Sequence, residues 1–276
     1  MLNAGINRFG NSAPVVKNLL IINVLMLFAT YVVASSFGKN LTMSLALFYP
    51  ESSYFKVHQI ITHMFMHADH WHLFFNMFAL WMFGRALENA WGSKRFLIYY
   101  LLTGIGAALL HTFVNYIEIA PLRNFVEAFV QSPTPAMLNE FAQNFLMGYP
   151  EEQGKLMAHA VEWSANMNIP EETSRAINLV YSSYDGLISI PTVGASGAVY
   201  GVLLGFGMLF PNTVLMLIFP PIPIKAKYFV MIFAGMELYL GFKQPGSNIA
   251  HFAHLGGMLF GYLIIRYWNS KRSNFY

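Results

Sequence analysis

VGASGAVYGVLLGFGMLF, residues 193–210, holds no charge and one small hydroxyl, Ser196. From there the chain is apolar or small up to Pro211. The run reads as a lipid-soluble helix. A polar side chain in such a helix is costly and turns toward the interior of a bundle. Gly197, Gly201 and Gly205 recur every four residues and form a stripe of small residues. Such a stripe lets a second helix come close. The stretch therefore implies a helical membrane bundle, and it asks which group meets Ser196.

The composition agrees. Of 276 residues, 56% are hydrophobic and 11% charged, against about a quarter charged in soluble domains. Mean hydropathy is +0.46. Apolar segments lie at roughly 17–37, 69–88, 95–117, 193–210, 226–242 and 248–268. Each is near the roughly 20 residues that cross a bilayer. The expected fold is all-α, a polytopic bundle of six transmembrane helices. The first segment is too long for a signal-peptide core and lacks an A-x-A site after it, so it reads as a retained helix. With the N-terminus inside, ten of the sixteen Lys and Arg residues lie inside, which is the orientation the positive-inside rule favours. Both termini are then cytoplasmic, in a multi-pass protein of the cell (inner) membrane. The weak net charge of +3 suggests no nucleic-acid partner, and the absence of cysteine excludes disulfides and thiolate chemistry.

One segment differs in kind. Between Glu118 and Asp185 there are nine acids and three bases, while the rest carries four acids and thirteen bases. Thr134-Pro135 reads as an N-cap followed by proline at the first helical position. Met137, Phe141 and Phe145 repeat every four residues before Gly148, as do Leu156, Ala160, Trp163 and Met167 in part. A further helix is expected from Pro170 through Ile177 and Tyr181. The expected organisation is a core of helices 1–3 (1–117), an acidic extramembrane insertion of three or four amphipathic helices (118–190), and a core of helices 4–6 (191–276). Lying just before Ser196 on the outer side, the insertion is expected to pack on itself as a cap and to select clients.

Two more polar clusters fall within the apolar segments. HMFMHADHWHLFFN (63–76) carries Asp69 as an N-cap, with His72 and Asn76 on one helical face. His63 and His67 are expected on a separate short helix. His58, His70 and His111 read as interfacial histidines bonded to backbone carbonyls. AHFAHLGGMLFG (250–261) aligns His254, Gly257, Gly261 and Ile265 on one stripe. If this helix approaches the Gly197 stripe, His254 meets Ser196. A serine is a weak nucleophile until a base takes its proton, and neutral histidine suits that task. Tyr200, one turn after Ser196, can stack on the ring. Oxyanion donors are the Ser196 N–H at a helix start, with His72 and Asn76 if helix two neighbours helix four. No acid is placed to complete a triad, Glu237 being read as deep or cytoplasmic, so a Ser196–His254 dyad is expected. Paired histidines can also bind zinc, but no H-E-x-x-H occurs. No metal and no cofactor are expected.

These residues together resemble the rhomboid family of intramembrane serine proteases. The family's G-x-S-G stands as Gly194-Ala195-Ser196-Gly197, its A-H-x-x-G-x-x-x-G as Ala253-His254 through Gly257 and Gly261, and its H-x-x-x-N as His72 through Asn76. His63, His67, FGRALE at the end of the second helix and Tyr200 fit as well. The resemblance implies a serine endopeptidase that cuts transmembrane segments of other proteins near the outer face of the bilayer. It implies Ser196 as nucleophile, His254 as base, and His72 with Asn76 at the oxyanion. It covers the six helices and departs in two places. The first external loop has FKVHQIIT where the family commonly has a Trp-Arg pair, and the loop between helices three and four is usually short. Two other classes stand beside the protease: an inactive rhomboid-like protein that binds membrane clients, and a histidine-lined transporter. The former typically lacks the serine or the histidine, and the latter predicts internal repeats that are not seen. The sequence does not name the substrate or the oligomeric state.

Overall fold

The computed structural model describes residues 13–166, 170–217, 221–243 and 250–272. The chain divides into two compact units. The first takes residues up to Leu47, Lys56–Val114 and Pro191 onward; the second takes Phe48–Phe55 and Asn115–Ile190.

Each of the six apolar segments forms a helix over most of its described part; the fourth becomes helical only at Ser196. They are α1 (Pro14–Phe37), then after the short α2 (Leu41–Leu45) and α3 (Gln59–Thr62) the pair α4 (His70–Ala79) and α5 (Arg85–Trp91), α6 (Ser93–Gln131), and, beyond the second unit, the last three. A π turn, Leu80–Gly84, joins α4 to α5 without breaking the rod. The second unit adds α7 (Pro135–Phe145), α8 (Pro150–Ala165) and α9 (Pro170–Ile188). The chain then runs through α10 (Ser196–Leu209), a two-stranded hairpin of β1 (Val214–Met216) and β2 (Pro223–Lys225), α11 (Ala226–Lys243) and α12 (His251–Arg272). Two of these helices, Pro14–Phe37 and Ser93–Gln131, are long and apolar enough to cross a membrane by themselves.

In the first unit, α10 is the most buried helix, and Ala198, Val202 and Leu203 join Leu80, Leu87, Phe96 and Tyr99 in one core. Glycines decide how close the elements come. A Cβ on Gly257 would lie 1.8 Å from the carbonyl oxygen of Gly197, and one on Gly197 would lie 2.5 Å from Ala107 Cβ. So α10 and α12 touch backbone to backbone, which only glycine permits. The N-terminus of α1 is closed by a distant residue. Glu88 accepts the N–H groups of Val15 at 3.0 Å and Val16 at 2.9 Å, and the hydroxyl of Ser93 at 2.6 Å. These amides belong to the first turn, which has no carbonyls of its own to bond.

In the second unit, Leu122, Val126 and Phe129 of α6 pack with Leu138 and Phe141 of α7, Leu156 and Trp163 of α8, and Ala176 and Val180 of α9. The side chain of Thr134 caps α7 by accepting the Met137 N–H at 3.2 Å. Three details go beyond the periodicity reading. First, α6 does not stop at the end of its apolar stretch but continues through Pro121 to Gln131. Second, α9 buries Ala176 and Val180, while Tyr181 is exposed. Third, Phe48–Phe55 of the first external loop belongs to this unit: Arg123 lies 3.3 Å from Glu51, and Tyr184 donates to Glu51 at 2.7 Å. Burial and that bond push the Tyr184 phenol up to about 12. Met167 lies outside the described residues.

Candidate active site

A helix of 14 residues, α10 is about 21 Å long. It falls about 10 Å short of a bilayer's hydrocarbon core. The chain just before its first residue, Ser196, is irregular. Irregular backbone inside a membrane bundle needs partners within the protein, and this stretch has them. Leu47 and Thr192 exchange both backbone hydrogen bonds, at 3.0 and 2.8 Å, and the Gly194 N–H donates to the His63 carbonyl at 3.0 Å. His111 Nε2 is 2.9 Å from the Thr192 hydroxyl. His58 reaches a backbone carbonyl as expected, Ser44 O, at 2.8 Å. His63 sits in a 3₁₀ turn (His63–Phe65) and bonds the Gln59 carbonyl at 2.8 Å. His67 lies beyond that turn, so the two histidines do not share one short helix.

The backbone contact of α10 with α12 brings His254 Nε2 to 2.8 Å from Ser196 Oγ. The Tyr200 ring lies flat on the His254 ring, with centroids 4.2 Å apart and planes 4° apart. Gly194 has φ +124°, a conformation that favours glycine, and a Cβ there would lie 2.8 Å from His72 Nε2 and 3.6 Å from Ser196 Oγ. His72 Nδ1 accepts the Ala68 N–H at 3.4 Å, which leaves the ring proton on Nε2, the nitrogen that faces this turn. Asn76 is buried, and its amide donates to the His72 carbonyl at 2.9 Å. One of its two N–H groups is thus engaged within its own helix. A cavity of about 10 Å³ beside Ser196 is lined by His63, Gly104, Val193, Gly197 and Ala253 among others.

The expectation that no acid reaches His254 is corrected by the structure. Glu237, in the middle of α11, is buried with Oε2 3.0 Å from His254 Nδ1 and 2.6 Å from His251 Nδ1. Tyr200 donates its hydroxyl to Oε1 of the same carboxylate. The His254 contact has ion-pair length but falls outside hydrogen-bond direction; that of His251 is in line. Sequence reasoning missed this because α11 carries Glu237 among apolar residues with no motif around it. The signal was its cost: a carboxylate amid 18 otherwise apolar or terminal-charged residues needs a partner. Among the described residues, Glu237, His251 and His254 are also the set whose ligand atoms, within 4.8 Å of one another, could hold a metal ion.

The Rhomboid domain family profile matches residues 54–118 and 172–270, more than half of the chain. The chain belongs to the rhomboid family, and it is a membrane protein. The unmatched stretch between the two parts falls inside the second unit. Rhomboid protease AarA of Providencia stuartii is 40% identical over 57 residues, 21% of this chain and 20% of that protein. Rhomboid protein 1, mitochondrial, of Saccharomyces cerevisiae is 26% identical over 205 residues, 74% of this chain and 40% of that protein. The chain thus matches less than half the length of either relative.

Proposed function

We propose that this chain is an intramembrane serine endopeptidase that cleaves transmembrane segments of other proteins. The observation that carries the reading is the 2.8 Å contact between Ser196 Oγ and His254 Nε2 at the start of a helix too short to span the bilayer. The similarity to a protein named a rhomboid protease supports it. In the proposed reaction, His254 Nε2 takes the Ser196 proton as Oγ attacks the scissile carbonyl. The oxyanion forms near the Ser196 N–H, the His72 Nε2–H and the second N–H of Asn76. His254 then gives its proton to the leaving amine, and water, activated the same way, releases the acyl group from Ser196. The Lys and Arg distribution supports six crossings of a cell membrane with both termini in the cytoplasm, so that Ser196 opens to the outer side.

The test is covalent labelling of purified, detergent-solubilised protein with a fluorophosphonate, together with cleavage of a transmembrane substrate. Labelling is expected on Ser196 and should vanish, with cleavage, in Ser196→Ala, whose loss of one oxygen leaves packing intact. A folded wild-type protein that neither labels nor cleaves would make the chain a client-binding relative instead.

A further inference from the structure

We infer that Glu237 is the positioning residue for His254, a buried carboxylate behind the Ser196–His254 pair; the inference rests on the protease reading above. The reasoning begins with cost. A carboxylate at mid-helix in a membrane bundle is retained when it has partners and work. Glu237 gathers three donors from two other helices: the Tyr200 hydroxyl from α10, and the Nδ1 atoms of His251 and His254 from α12. These are also the titratable groups that face it.

The tautomer follows. To accept the Ser196 proton, His254 must present a bare Nε2, so its own proton must sit on Nδ1. That N–H needs an acceptor, and Glu237 Oε2 is 3.0 Å away. A triad whose carboxylate no longer selects this tautomer loses about 10⁴-fold in kcat. When the serine proton moves to Nε2, the ring becomes an imidazolium lying between the Ser196 oxygen and the carboxylate. The carboxylate steadies that charge without taking a proton, and the proton leaves later with the amine. The contact is off-line at rest, as catalytic hydrogen bonds often are before substrate arrives. The other two donors hold the carboxylate in place. The Tyr200 hydroxyl occupies Oε1, which turns Oε2 toward the histidines, and His251 anchors Oε2 from the preceding turn of the same helix as His254.

Two measurements test this. The first needs no activity. In ¹⁵N-histidine-labelled protein, with the His254 signal assigned by its loss in His254→Asn, the ring should carry its proton on Nδ1; a proton on Nε2 overturns the inference. The second is kinetic. Glu237→Gln has one acceptor oxygen for three donors, and kcat should fall about 10²-fold or more with KM within about threefold of wild type. Glu237→Asp keeps the charge and should recover at least about tenfold of that loss. A purely structural role would give two variants equally impaired, and a Glu237→Gln enzyme within about threefold of wild type would overturn the proposal outright. If Glu237→Gln does not fold, the wild-type Nδ1–H of His254 still decides: bonded to a carboxylate its proton resonates far downfield, and an Nδ1–H without that shift overturns the inference. Wild-type protein that neither labels nor cleaves sinks the protease reading, and the tautomer measurement on that same protein judges Glu237 separately.

Discussion

Two histidines three residues apart on α12 face the same carboxylate and do different things. His254 reaches Ser196 with Nε2, whereas His251 is bound through Nδ1 to Glu237. His254→Ala should abolish both cleavage and labelling of Ser196. His251→Ala should be milder, about 10-fold or less in kcat, because it removes an anchor and leaves Oε2 to His254. Labelling rates of the two purified variants check this, and the reverse ranking would mean that the base has been misassigned. Ser196 and His254 are legible in the sequence because each sits in a short run of small residues, GASG and AHLGG, in which Gly197 and Gly257 serve the same close approach. Glu237 is not legible in that way. Its role depends on how α11 lies against α10 and α12, and helical periodicity says which face a residue occupies, not which neighbour it meets.

At the scale of elements, two contacts fix the frame. The first is between α10 and α12. A methyl on Gly257 would fall 1.8 Å from the Gly197 carbonyl oxygen, which is backbone and has no rotamer to yield. Gly257→Ala should therefore force the helices apart, lower stability by about 1–3 kcal/mol or more, and suppress Ser196 labelling even where the protein remains folded. Thermal unfolding and labelling of one preparation separate the two effects. The second contact is Glu88 at the start of α1. Glu88→Ala strands two first-turn amides and a serine hydroxyl, and should cost about 3 kcal/mol without changing the residues around Ser196; denaturation in mixed detergent reads it. The GRALE segment was visible in the sequence as the end of the second helix. Its target was not, since Val15 and Val16 lie more than 70 positions away.

For the whole molecule, the composition already separates an acidic stretch from a basic, apolar remainder, and the amphipathic repeats of that stretch are helices with their own core. Two things were hidden. Nothing in the apolar pattern says that α6 carries on through Pro121, since a proline ordinarily argues for a break. Nor does any local pattern attach Phe48–Phe55 to the second unit, because that link runs through single polar pairs such as Glu51 with Arg123 and Ser53 with Asp185. The side chains at Ser196, His254, Glu237, Tyr200 and His72 all belong to the first unit. Replacing 132–188 with a short Gly/Ser linker should therefore keep fluorophosphonate labelling of Ser196 while changing which membrane proteins are cut, as a proteomic comparison of cleaved substrates would show. Loss of labelling in a folded deletion variant would mean that the acidic unit supports the reaction geometry itself, and an unchanged substrate profile would remove its role in selection.

The carboxylate at the head of α1 also bears on the order in which the protein is made. Pro14–Phe37 is synthesised before Glu88, so the leading amides of α1 must first be bonded to other groups, such as water. They exchange those partners for Glu88 only when the second span arrives. The first helix is thus inserted early and finished late. A nascent chain arrested before Glu88 leaves the ribosome should have an α1 that frays at its start and exchanges its amide hydrogens quickly. A chain arrested after the second span has emerged should protect them.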